Sequence, residues 1–205
     1  MKQVFLYIAL LLPIFSFFSC HDTELAEKAV GTWALNITTS YDDGSKDEAT
    51  GVFKFVKEED NDGGTFTEKR LGVFSGEEDK AHYTCKYKST ITGTWDVFAG
   101  KLELVYDIPS LKVTINADDV NLKYNNFIDE LDAATYALRT LTNVTAELAK
   151  TAQKELYTDS FRSYKSMNDE GGVFNNLTIE GDKMTFDTND MGTLHLTKIT
   201  QSNDK

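Results

Sequence analysis

The residues able to carry chemistry are few, and their spacing decides what each could do. His82 and Cys85 form a His-x-x-Cys pair. On a helix that spacing would share a face and could hold a metal, but on a strand residues three apart point to opposite faces. The surrounding pattern is alternating, so Cys85 is expected inside and His82 outside, unable to ligate one ion. His21 precedes the folded region, and His195, between Leu194 and Leu196, is expected to face solvent. Glu58, Asp60 and Asp62 before Gly63-Gly64 resemble half a calcium loop, yet the position that needs a bidentate acid holds Lys69. An acidic hairpin tip, with the glycines supplying positive φ, is the better reading. No Gly-x-Ser-x-Gly or phosphate-binding glycine loop appears. Cys85, on an apolar face without a cationic neighbour, reads as an inert core thiol. No metal, no cofactor and no catalytic residue are expected, and the protein reads as a non-enzyme.

The frame that positions these residues is mostly two-periodic. Trp33, Leu35, Ile37 and Tyr41 alternate with polar neighbours, as do Tyr83, Cys85 and Tyr87, then Leu102, Leu104 and Tyr106. Strands with one dry and one wet face belong to antiparallel sheets. Turn signals such as Asp43-Gly44, Ala99-Gly100, Gly171-Gly172 and Gly181-Asp182 separate them. The pattern predicts ten strands, at 31–41, 49–57, 64–74, 81–88, 90–99, 101–107, 110–117, 172–180, 183–188 and 192–199. A closed barrel disposes of exposed sheet edges and suits many short hairpin-linked strands, with an open sandwich as the competing architecture.

Residues 120–161 break the alternation. Phe127, Ile128, Leu131, Ala134, Leu138, Leu148, Ala152 and Leu156 recur at three- and four-residue steps, which predicts amphipathic helix. One rod of roughly 38 residues there would be about 57 Å long, taller than a barrel wall of ten-residue strands at about 33 Å. Two helices are therefore expected, joined near 141–144 with Asn143 as a cap, their apolar stripe packed on the sheet.

The chain has 205 residues and a formal charge of −12, from 21 Lys+Arg and 33 Asp+Glu. A chain without basic clusters cannot displace phosphate counterions, which excludes nucleic acid. Two cysteines make no disulfide framework. Before the folded region stands Lys2 and an apolar run, Val4 to Phe18, broken by Pro13 and Ser16. Its length suits a secretory signal better than a membrane span.

That run ends at Phe17-Phe18-Ser19-Cys20, which resembles the lipobox of bacterial lipoproteins. The resemblance implies cleavage before Cys20 and acylation there, and so an outer-membrane lipid anchor facing the periplasm or the cell surface. Three Asn-x-Thr sequons, at Asn36, Asn143 and Asn176, carry no weight on a bacterial export route. The division expected is 1–19 signal peptide, 20–29 acidic tether, 30–200 barrel with a helical insertion at 120–161, and 201–205 polar tail.

Val30-Gly31-Thr32-Trp33 opens the first strand, and Gly-Thr-Trp recurs at Gly93-Thr94-Trp95. A Gly-x-Trp at the start of strand one resembles the signature of lipocalins and related calycin barrels, and residues 30–107 are similar to bacterial lipocalin-like lipoproteins. The resemblance implies a mainly β fold, an antiparallel lipocalin-like barrel of eight to ten strands, here with a two-helix insertion. It further implies a small hydrophobic or amphiphilic ligand. Trp33, Phe53, Phe55, Tyr83, Tyr87, Trp95 and Tyr106 are the candidate pocket residues, on inward faces. The alternative is a solid barrel acting as an interaction or inhibitor module that engages an envelope protein through its helices or hairpin tips, since small barrels are often filled by their own side chains.

Overall fold

The computed structural model describes residues 22–199, apart from Asp43, Asp60, Asp79, 141–142 and 190–191. In chain order these residues form helix α1 (Thr23–Ala29) and strands β1 (Gly31–Ser40), β2 (Lys46–Lys57), β3 (Gly63–Glu78), β4 (Ala81–Phe98) and β5 (Lys101–Thr114). A 3-10 turn (Ala117–Asp119) leads to β6 (Val120–Tyr124), α2 (Phe127–Thr140) and α3 (Val144–Asp169). Strands β7 (Val173–Glu180), β8 (Lys183–Thr188) and β9 (Gly192–Lys198) complete the fold. Neighbours pair in the order β3-β2-β1-β9-β8-β7-β5-β4, and β4 returns to β3, which closes an antiparallel barrel of eight strands. The ninth, β6, pairs with Ala81–Cys85 at the start of β4. The expected mainly β barrel with a two-helix insertion is what the chain forms.

The barrel is lopsided, and that asymmetry creates its functional surfaces. Strands β3 and β4 pair continuously from Gly63↔Asp96 to Glu78↔Ala81. The meander β7–β9 is far shorter and joins the ring over short seams, around Leu102↔Phe174 and Glu103↔Val173 on one side, and around Trp33↔Lys198 and Ala34↔Thr197 on the other. One end is thus a closed tube, whereas at the other a tall wall of β2–β5 stands above the meander. Helix α3 lies against the inner face of that wall, chiefly on β5. It buries Leu148, Ala149, Ala152, Leu156 and Tyr164.

Two strand pairs expected from the sequence are single strands. Residues 81–88 and 90–99 form one strand, because Ala81, Cys85, Tyr87, Ser89, Ile91, Trp95 and Val97 keep one inward parity throughout. The polar Ser89 on the inward face makes the pattern look interrupted. Residues 101–107 and 110–117 likewise join, through a bulge. Thr92 pairs with Asp107 but Thr90 with Lys112, so β5 spends five residue steps where β4 spends two. The odd excess of three flips the parity, from Leu102, Leu104 and Tyr106 inward to Leu111 and Val113 inward. Pro109 lies in the bulge, where no ladder donor is required. The Thr92 amide, robbed of its ladder partner, donates instead to Ser110 Oγ at 2.9 Å.

Four further expectations change. Residues 120–124 are strand rather than helix, and the last helix runs on to Asp169 instead of ending near 161. The segment read as a tether contains α1, with Ala26 and Ala29 buried and the Ala29 carbonyl accepting from Trp33 Nε1 at 2.7 Å. Gly63 and Gly64 do not adopt positive φ. They sit in β3, where a Cβ would collide with the carbonyl oxygens of Trp95 and Val56 respectively. The helix junction is as expected: α2 ends at Thr140, and Asn143 caps α3 by accepting from the Ala146 amide at 3.1 Å.

Candidate functional site

Of the seven aromatic residues singled out from the sequence, Phe53, Phe55, Trp95 and Tyr106 are joined through ring contacts, while Trp33, Tyr83 and Tyr87 pack elsewhere in the same core. Phe53 stacks on Phe55 with ring centroids 6.1 Å apart, and Phe55 meets Trp95 edge-on at 5.5 Å. Phe66 bridges Phe55 at 6.0 Å and Tyr106 at 5.2 Å. Trp33 is buried, with Lys198 Nζ 5.1 Å above its ring. Trp95 Nε1 lies 3.1 Å from both the Val56 and Thr65 carbonyl oxygens, so each indole has an acceptor. Tyr87 lies over Gly72, and the half-buried Tyr83 packs near Phe74 at 6.2 Å. Cys20 lies outside the described residues. His82 is on the outer face, its Nδ1 3.0 Å from Glu77 Oε1, and Cys85 is inside, so the pair is split across the sheet.

Above this aromatic floor is a polar layer that the sequence reading missed. Glu68, 1% exposed, holds Arg70 Nε, and the Arg70 guanidinium lies 5.2 Å from the Tyr164 ring centre. Tyr164, carried in by α3, packs on Tyr106 at 4.5 Å. Burial, reinforced by the Glu68 charge, pushes both phenols well above their usual range. Burial works against the Arg70 charge, but Glu68 together with Tyr164 and Tyr106 more than offsets it and the guanidinium is held protonated. Further up β2, the buried Asp47 accepts from Tyr87 Oη at 2.9 Å. Its desolvation raises its own pKa, only partly countered by that hydrogen bond and by Arg70. The signal that could have found the layer is parity, since Glu68 and Arg70 share the face of Phe66 and Phe74.

One wide crevice lies outside the barrel, between α2, the first turns of α3, β6 and the β3–β4 turn. It has a volume of about 860 Å³, with Leu122, Tyr124, Tyr136 and Leu148 among its lining. Lys80 bridges across it to Asp129 at 3.8 Å and Asp132 at 3.6 Å. A second groove, about 530 Å³, crosses the outer face of β1–β5 around Leu71 and Val73.

Helix α2 is built the wrong way round for a packed helix. Asn126 caps it firmly, accepting from the Ile128 and Asp129 amides at 3.0 Å each and donating to Asp129 Oδ2 at 2.6 Å. The face it turns to the crevice carries Asp129, Asp132, Ala133 and Tyr136. Its apolar stripe faces solvent: Phe127 is 74% exposed, Ile128 69%, Leu131 54% and Leu138 79%. The stripe expected to pack on the sheet does so only in α3. Among the described residues no helix is long and apolar enough to cross a membrane. The chain matches no protein-family model and no curated protein.

Proposed function

We propose that the protein is a lipid-anchored lipoprotein of the bacterial envelope, lipocalin-like in build, whose filled barrel is a rigid mount for an interaction helix. Helix α2 docks its apolar stripe into a groove of another envelope protein. The observation that carries this is the solvent-facing row Phe127, Leu131, Ala134 and Leu138, with Ile128 beside it. Steps of four, three and four residues are those of a helix seated in a groove or against a second helix. Contiguous exposed apolar surface on an otherwise polar helix is costly to leave in water, and its usual reason is a partner. Lys80 supports the reading from below, because its ion pairs to Asp129 and Asp132 fix the helix without using the stripe.

The test is photo-crosslinking in native membranes from a benzophenone side chain at Leu131 or Leu138, compared with one at Lys54 on the barrel wall. A discrete protein adduct from the helix alone is expected. Equal labelling from both positions, or none from the helix, overturns the assignment.

The crevice under α2 favours one other reading, in which a small amphiphile binds there and not in the barrel. Its volume of about 860 Å³ falls in the range of ligand pockets. An apolar dye displaced from the protein by Leu122→Trp, but unaffected by Phe55→Leu, would select this reading.

A further inference from the structure

The outer wall of the barrel carries a patch opposite in sign to the rest of the chain. Side chains of one parity on β3, β4 and β5 point outward and stand in register. Lys69 pairs with Thr90, which pairs with Lys112; one row along, Leu71 pairs with Lys88, which pairs with Thr114; and Val73 pairs with Lys86. Four exposed lysines thus surround two exposed aliphatic side chains. Leu71 is 58% exposed, a large fraction for a leucine in mid-strand. Among the described residues none of the four lysines forms an ion pair. Two carboxylates border the groove. Glu48 is already paired with Lys46, and Asp119 accepts from Asn116 Nδ2 at 2.8 Å.

Where the chain leaves the described fold gives the patch its orientation. Asp22 Oδ2 accepts from the Gly100 amide in the β4–β5 turn at 2.6 Å, and Thr23 Oγ1 donates to Asp62 at the β2–β3 tip at 3.2 Å. The described chain therefore begins at the foot of the same wall that bears the lysines. From that turn to Lys88 is about 33 Å along the strand. If Cys20 is acylated, two residues separate it from α1, and the wall can lie along the bilayer.

We propose that this outer face of β3–β5 is a membrane-docking surface for anionic phospholipid headgroups, with Leu71 and Val73 entering the interface. The orientation, though not the patch, rests on the lipid anchor in the reading above. Lysines beside an anionic surface each strengthen binding about fivefold, and aliphatic side chains among them add apolar contact. Acidic residues elsewhere are screened beyond roughly 8 Å at physiological ionic strength, so the formal −12 does not cancel the local attraction. The lysines complement an anionic surface, and Leu71 and Val73 stand among them where they can enter the apolar side of its interface.

The experiment has two arms. First, the unacylated chain from His21 onward, which holds every element of the barrel, is sedimented with phosphatidylglycerol-rich vesicles and with pure phosphatidylcholine vesicles. Binding to the former alone is expected, lost by more than tenfold in Lys86→Glu/Lys88→Glu and weakened in Leu71→Ser. Lys183→Glu on β8, Leu131→Ser and unchanged circular dichroism of all variants serve as controls. Second, in the acylated protein reconstituted into the same vesicles, a fluorophore at Leu71→Cys should be shielded from aqueous iodide and one at Thr193→Cys should not. No preference for anionic vesicles, or charge-dependent capture of an acidic protein without vesicle binding, overturns the docking surface. Such a failure leaves the α2 crosslink untouched. Loss of the α2 crosslink with vesicle binding intact sinks the other reading alone.

Discussion

The Asn168 side chain of α3 forms two hydrogen bonds with the backbone of Tyr106 on β5. Its Oδ1 accepts from the Tyr106 amide at 2.9 Å, and its Nδ2 donates to the Tyr106 carbonyl at 2.8 Å. One carboxamide thus plays the part of an absent strand at the level where β7 has stopped pairing with β5. A free strand edge at the barrel seam would leave a donor and an acceptor unsatisfied. Asn168→Ala should therefore cost about 2–4 kcal/mol by urea unfolding. Asn168→Asp should cost no less, because a carboxylate cannot donate to the carbonyl. Fast amide exchange at Tyr106 in either variant would locate the loss.

The two halves of the helical insertion should respond oppositely to truncation. Leu138→Ala on α2 removes an exposed side chain, and stability should change by less than about 0.5 kcal/mol. Tyr164→Ala on α3 removes a ring wedged between Tyr106 and Arg70, and should cost about 3–5 kcal/mol. Similar large losses at both positions in thermal unfolding would mean that the stripe of α2 is buried in solution.

Asp47 should make the barrel sensitive to pH in a defined direction. Burial raises its pKa above the ordinary 3.8, so the folded state favours the neutral acid. That preference stabilises fully below the unfolded pKa and is lost as pH rises through the folded one. At pH 7 the buried charge is a cost. Asp47→Asn, whose carboxamide oxygen can still accept from Tyr87, should be more stable there by on the order of 1 kcal/mol. The gain should shrink as pH falls through the raised pKa and vanish below about 4. A gain independent of pH in parallel melts would refute the charge as its origin.

Cys85 is buried, and desolvation pushes its thiol up to about 11. In the chain from His21 onward it is the single cysteine. Iodoacetamide at pH 8 should leave it unmodified in the native protein and alkylate it fully in urea, as read by intact mass. Native alkylation as fast as that of a free thiol would show the wall opening near Cys85.

Alternation fixes which face a residue takes once it is in a strand, because successive Cβ atoms point to opposite sides. That local rule made the strands, the aromatic floor and the inward Cys85 legible from residue order alone. The Asn143 cap was legible for the same reason, as its partner lies three residues away. Parity alone, without a hydrophobic prior, would also have placed Glu68 and Arg70 inside. What it could not supply is Tyr164, which reaches them from a segment more than ninety residues later. Closure decided the rest. The short β7–β9 meander leaves the tall β2–β5 wall uncovered above it, and α3, about 39 Å long, occupies its inner face. Helix α2 carries the same kind of apolar stripe, yet lies over the crevice with that stripe turned to solvent. Amphipathic periodicity states that a helix has a face to bury, whereas the space remaining after the strands have closed decides whether the chain itself can bury it.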